Sequence, residues 1–455
     1  MIEIEMKTDL PNVIFITGHD LGKHLPIYYA KSVEAPNIEE ISKDGIIFDR
    51  AFSTAPQCSP ARAAIATGRY PHSNGVMGLA HKGFDWILPP SERHIAKYLK
   101  DLGFYTALIG LQHITRRSNI PSLGFEYFDS PDDTSVDSVL PRVLAWIDNL
   151  KKEKIIHQKP FYLEVGFWEV HRPWDKYKME YTKGISRPYW LPPYQDEGRE
   201  IGQLQGSIYK LDKAVGKIFE SLSHSDLIEN TIFIFTTDHG LDLPRAKGTL
   251  YDPGIETSLV IHYPKTNQKG KRFSHLISTM DIFPTILDEM DAKIPDEVQG
   301  ISFKNLLHGK PYKEREFIFA EKTFHSTYDP IRAIRNRKFK LIAHFETYDN
   351  VDVTIDSHKS YAYDLLRDEL TVPNNYVELY DLETDPLELH DLSRDGNYET
   401  ILRDLLEQLH QFLTSTGDPL LNGQVLSPHH KNMIKILKGE FKQLPDKNTY
   451  GGLKD

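Results

Sequence analysis

The stretch APQCSPARAAIATGRYPH, Ala55 to His72, holds the only cysteine of a 455-residue chain. Cys58 is followed by Pro60, Arg62 and an alanine-rich run, which places it at the mouth of a helix. Proline suits a first helical turn, where its missing N–H is not needed, and Ala61 to Ala66 is a good helix-forming run. Four more clusters carry residue types that move protons or hold metal ions. They are GHD (Gly18 to Asp20), GLQH (Gly110 to His113), WEVHRPW (Trp168 to Trp174) and TTDHG (Thr236 to Gly240). Each follows a short apolar run. A single histidine at a strand end is commonly structural, but stability does not explain four strands that all deliver His or Asp there. Ligands collect at the carboxyl edge of open parallel sheets, so the clusters point to one shared site.

CSPARAAIATGR reads Cys-x-Pro-Ala-Arg, a helical run, then Thr-Gly-Arg. In that register it resembles the signature of the formylglycine-dependent sulfatases, with Cys58, Pro60, Ala61, Arg62, Thr67, Gly68 and Arg69 all matching. The likeness continues through PHSNGV, TTDHG followed by KGTLYDPG, and VELYDLETDPLELHDLS. CSPARA, NGVMGLAH, LIGLQH, GTLYDPG and HSTYDPIRAIRNRKFKLI are most similar to the heparan N-sulfatase (N-sulfoglucosamine sulfohydrolase) branch.

The resemblance implies that a maturation enzyme oxidises Cys58 to formylglycine. One hydroxyl of the aldehyde hydrate then attacks sulfur and expels the alcohol or amine, and the other expels sulfate from the resulting ester. A helix N-terminus favours the anionic centre, and Arg62 would hold the hydrate. The resemblance also implies one divalent cation, calcium by default, bound by Asp20, Asp238, His239 and the side chain at Cys58. His19 departs from the family's Asp-Asp pair. As a candidate ligand it draws the site toward manganese, zinc or iron, because calcium prefers oxygen donors. The family pattern assigns His113 to deprotonating the second hydroxyl, and His171 with Lys247 to sulfate binding and leaving-group protonation. Leu111 stands where the family has a lysine. Arg116 or Arg117 is a candidate replacement, with ordinary surface arginines as the other reading. His325, Tyr328 and Arg332 resemble a sugar-recognition segment. WEVHRPWDKY offers rings for stacking on a sugar or for packing. His72 and Asn74 are expected to shape the turn after the signature helix.

The elements that must position these groups alternate. Apolar runs at Asn12 to Gly18, from Ile46, at Tyr105 to Ile109, in KPFYLEVGF and in NTIFIFTTDHG read as buried strands. PNIEEISKD, HIAKYLKDL, GQLQGSIYKLDKAVGKIFESL and DIFPTILDEM read as helices. The expected fold is α/β, a large mostly parallel sheet between helices, which the resemblance makes alkaline phosphatase-like. After about Gly309 the texture changes to antiparallel strands (IRAIRNRKFKLIAHF, NNYVELYDL) and a closing helix (ILRDLLEQLHQFL). This predicts a catalytic domain over 1–309 and a smaller α+β domain over 310–455 that closes over the active site.

Composition bounds the rest. With 40% hydrophobic and 26% charged residues the chain is not disordered, and a net charge of −11 argues against general nucleic-acid binding. One cysteine allows no intrachain disulfide. The N-terminus lacks a signal-peptide pattern, and no apolar run reaches the roughly 18–20 residues of a membrane span, so a cytoplasmic protein with no membrane partner is expected. The function these observations predict is hydrolysis of sulfate from a small sulfated sugar or glycan fragment, as an O-sulfate or the N-sulfate of glucosamine. The alternatives are a phosphonate monoester or phosphodiester hydrolase of the same fold, and a catalytically silent sugar-binding relative.

Overall fold

The computed structural model describes residues 10–81, 83–152, 159–179, 182–347 and 354–440. Both chain ends of the expected domains, 1–9 and 441–455, lie outside the described residues. The first sheet contains β1 (Asn12–Gly18), β2 (Ile46–Phe52), β3 (Tyr105–Gly110), β4 (Tyr127–Asp129), β5 (Phe161–Gly166), β6 (Thr231–Thr237), β7 (Glu256–Thr257), β8 (Leu259–His262) and β9 (Arg272–Ser278). Their order is β4-β3-β5-β1-β6-β8-β2-β7, with β9 beside β2. The block β4-β3-β5-β1-β6 is parallel, with Val13 in register with both Tyr162 and Ile232. Beyond it β8 runs antiparallel to β6 and β2.

The apolar runs are continuous because both sheet faces are buried. Ile14, Ile16, Ala107, Leu163 and Phe233 pack on one side. Their neighbours Val13, Phe15, Leu108, Tyr162 and Ile232 pack on the other. The helix Glu197–Ser223 covers the first face through Ile201, Leu204, Ile208, Leu211, Val215, Ile218 and Leu222, a three-four spacing that keeps one stripe inward. The helices Ile95–Asp101 and Ile282–Glu289 cover the second. Beyond the expected set lie the antiparallel strands β7 and β8 and the helix Val136–Lys152.

The second sheet is antiparallel, β10 (Ile318–Phe324), β11 (Tyr328–Arg335), β12 (Phe339–His344) and β13 (Val377–Asp381), in that order. One face holds the helix Glu399–Thr416, whose Leu405, Leu409 and Leu413 meet Ile334, Leu341 and Leu379. The other shares a core with the first sheet and its loops, where Ile331, Ala333 and Ile342 pack with Phe52, Leu250 and Leu276. Among the described residues no helix is long and apolar enough to cross a membrane.

Two glycines set how closely the strand ends approach. A Cβ on Gly166 would lie 1.9 Å from the Leu111 carbonyl oxygen, and one on Gly110 would lie 2.1 Å from the Gly166 oxygen. Only hydrogen fits at either position, so the loops carrying His113 and Trp168 leave the sheet side by side.

Candidate active site

The carboxyl ends of β1, β3, β5 and β6 converge on Cys58. They bring His19 and Asp20, His113, His171, and Asp238 and His239, while Lys247 comes from the loop after β6. Asp20 and His113 both take left-handed backbone conformations (φ 55° and 62°), a strained geometry that often marks functional turns. The Asp20 N–H donates to Asp238 Oδ1 at 3.0 Å, fastening the first loop to the last.

Cys58 opens the helix Cys58–Thr67 behind an extended Gln57 and is only 2% exposed. Its Sγ lies 3.0 Å from His19 Nε2, 3.3 Å from His239 Nε2 and 3.7 Å from Asp20 Oδ1. Arg62, one turn along the same helix, donates from Nε to Asp238 Oδ2 at 2.9 Å, and its buried Nη2 has no hydrogen-bond partner among the described residues. On the far side of Asp20, Lys247 Nζ donates to Oδ2 at 2.5 Å and sits 3.3 Å from His171 Nε2.

Charge in this buried cluster is finely set. Burial pushes the imidazoles of His19 and His113 well below their ordinary range, so both are neutral near pH 7. Burial would lower His239 too, but the carboxylates of Asp238 and Asp20 on either side outweigh it and hold a proton there. Burial opposes the charge on Lys247, yet Asp20 and Asp242 keep it firmly ammonium. The centre therefore offers the neutral imidazoles of His19 and His113, the protonated one of His239, a fixed ammonium and a guanidinium donor around one side chain at a helix N-terminus.

His19, Asp20, Cys58 and Asp238 each supply one donor atom within 4.8 Å of all the others, and all four are buried. His239 Nε2, 3.1 Å from Asp20 Oδ1, adds another. Two carboxylates supply charge and two imidazoles supply nitrogen, a set that fits a divalent cation whose binding displaces the proton His239 holds in the cation-free site.

The remaining expected site residues separate. Arg332 is a correction: its guanidinium is buried, pairs with both Asp418 oxygens (2.6 and 3.2 Å), and its last nitrogen reaches the Lys322 and Ile331 carbonyls. No donor nitrogen remains for a sugar. Tyr328 and His325 flank the β10–β11 turn, where the Tyr328 hydroxyl accepts the Val425 N–H at 3.2 Å. That turn reaches the centre through Gln57, whose side chain donates to the Phe324 carbonyl at 2.6 Å. Arg116 and Arg117 pair with Asp85 and Asp132 (2.6 and 2.7 Å), so neither replaces the missing lysine. Asn74 does shape its turn, accepting the Val76 N–H, whereas His72 binds Glu321 of the second sheet.

Two residues escape the sequence reading. Asp242 lies 3.5 Å from Lys247 and accepts from Thr354, a partner 112 residues away. His81 stacks on His113 with ring centroids 5.5 Å apart and its Nδ1 3.3 Å from Nε2. The five-residue step from Asp242 to Lys247 is the only local signal for the first. NGVMGLAH contains the second without marking its role.

The family model described as Sulfatase matches residues 11–292, more than half of the chain, and one described as N-sulphoglucosamine sulphohydrolase, C-terminal, matches 245–360. An ulvan-active sulfatase of Formosa agariphila is 26% identical over 90% of this chain and 75% of its own. The human N-sulphoglucosamine sulphohydrolase is 23% identical over 90% of this chain and 91% of its own. Among solved structures, a 2-O GAG sulfatase superposes with a TM-score of 0.70 at 20% identity, covering 93% of this chain and 96% of its own.

Proposed function

The chain belongs to the sulfatase family, and from that premise we propose that it removes sulfate from a carbohydrate, as an O-sulfate or a glucosamine N-sulfate, after Cys58 matures to formylglycine. One observation carries the reading: the Cys58 side chain lies at a helix N-terminus within 3.3 Å of two imidazoles, with Arg62, His171 and Lys247 grouped around the same acids. The carbohydrate assignment is supported by relatives whose names specify ulvan and N-sulphoglucosamine.

A bound divalent cation would supply Lewis acidity at the nucleophile and be held by Asp20, Asp238, His19, His239 and the side chain at 58. Every other role falls to the chain itself. His113, neutral and beside the nucleophile, accepts the proton of the second hydroxyl. Lys247 and Arg62 neutralise the sulfate oxygens. His171, hydrogen-bonded through Nδ1 to the Arg172 carbonyl at 2.7 Å, presents Nε2 toward Lys247 and donates to the leaving oxygen or nitrogen. The two nitrogen donors favour manganese or zinc over calcium. Replacing His19 by Asp should invert that order in equilibrium metal-binding measurements; an unchanged order removes His19 from the ligand set.

The test is direct. Protein co-expressed with a formylglycine-generating enzyme and loaded with manganese should show an aldehyde at position 58 by mass spectrometry and release sulfate from 4-nitrophenyl sulfate and from sulfated sugars. Cys58→Ala should remove all turnover while leaving the melting curve in place. An aldehyde-bearing, metal-loaded enzyme that hydrolyses an aryl phosphonate but no sulfate would overturn the reading.

A further inference from the structure

Past His113 and Trp168 a cleft of about 440 Å³ opens from the catalytic centre, within the roughly 300–1,000 Å³ typical of small-molecule sites. Leu111, Pro131 and the Trp168 ring give it apolar wall. Its charged groups balance. Arg117 and Asp132 are bound to each other at 2.7 Å. Lys176 lines the cleft along with Asp133, whose carboxylate accepts the Ser135 N–H and hydroxyl at 2.9 and 3.0 Å. The imidazoles of His81 and His113 complete the wall. Among the Lys, Arg, Asp and Glu side chains that line it, two cations stand against two carboxylates.

We propose that this cleft takes the saccharide unit next to the one carrying the scissile sulfate, and that it selects a unit bearing no sulfate or carboxylate of its own. The inference rests on the sulfatase reading above. A second anion placed here would lie beside Asp132 and Asp133 and find Arg117 already engaged, leaving Lys176 as the one remaining cation against two carboxylates. An uncharged pyranose has the Trp168 ring to lie against and the hydroxyls of Thr115 and Ser130 for its own hydroxyls. Leu111 points the same way: where the resembled pattern has a lysine, this chain lines the cleft with hydrocarbon.

The experiment uses pairs of disaccharides, each pair sharing one sulfated unit and differing only by an added sulfate on the neighbouring unit, with 4-nitrophenyl sulfate as a probe that does not reach the cleft. The mature enzyme should give at least tenfold higher kcat/KM for the member with the uncharged neighbour. In the Asp132→Asn, Asp133→Asn double variant that ratio, normalised to aryl-sulfate turnover, should shrink at least fivefold. Calorimetric binding to the Cys58→Ala protein, which cannot turn over, should show the same order of affinity. Equal or better use of the doubly sulfated member, or a ratio unmoved by the double variant, overturns the proposal while aryl-sulfate hydrolysis leaves the sulfatase reading standing. Absence of all sulfate release fails the reading itself, and the calorimetric order then decides the cleft alone.

Discussion

Lys247 and Asp20 meet at 2.5 Å with side-chain exposures of 3% and 0%, so each is the other's principal counter-charge when no cation is bound. Removing one member of such a pair strands the other, at a cost of about 3–5 kcal/mol. Lys247→Met should therefore lower the denaturant-unfolding free energy by about that amount in metal-free protein, and saturating manganese should recover much of the loss by giving Asp20 a new partner. An equal loss with and without manganese would contradict the pairing. Turnover should also fall, by about 10²–10⁴-fold, if Lys247 has the sulfate-binding and proton-relaying role proposed for it. At this scale the sequence is highly legible. Cys58, Arg62, Asp20, Asp238, His239 and Lys247 stand in local motifs, so the resemblance assigns each a position and the fold brings them together. Arg332 misleads because its motif records only local order, whereas its partner Asp418 is 86 residues away.

The strand ends show how elements aim these side chains. β3 and β5 pair from Tyr105 with Phe161 through to Gly110 with Gly166, and the Leu111 N–H continues the ladder to the Gly166 carbonyl at 2.9 Å. A methyl group at 166 would strike the Leu111 backbone, which has no flexible end to move aside. Gly166→Ala should cost roughly 1–3 kcal/mol or more, and should lower kcat well below the melting range because the His113 loop is displaced. A variant that melts early yet turns over normally would show that the loop tolerates the shift. Periodicity marks the buried parallel strands and the long helix Glu197–Ser223 because each carries an unbroken pattern. The two-residue β7 and four-residue β8 are too short to carry one, and their antiparallel direction follows from partners on β2 and β6.

Across the whole molecule the two sheets are joined by a buried charge cluster as well as by the apolar core they share. His72, just after the Cys58 helix, binds Glu321 of β10 and lies 3.6 Å from Asp418, and Asp418 holds Arg332 of β11. Asp418→Ala leaves Arg332, 1% exposed, without its carboxylate and should reduce stability by about 3–5 kcal/mol in urea unfolding. A change within 0.5 kcal/mol, the range of ordinary surface substitutions, would show the cluster to be dispensable. Composition and texture indicate that a second sheet exists, but this junction depends on pairs hundreds of residues apart and is visible only once the chain is folded. The enclosure of Cys58 also fixes an order of events in the life of the protein. A thiol 2% exposed behind His19, His239 and Asp20 is out of reach of any second macromolecule, so an enzyme that made the proposed formylglycine would have to act on the nascent or unfolded polypeptide, before these strands close. Purified thiol-form protein incubated with the oxidising enzyme should stay inert. The same chain offered to that enzyme while denatured, then allowed to refold, should gain activity.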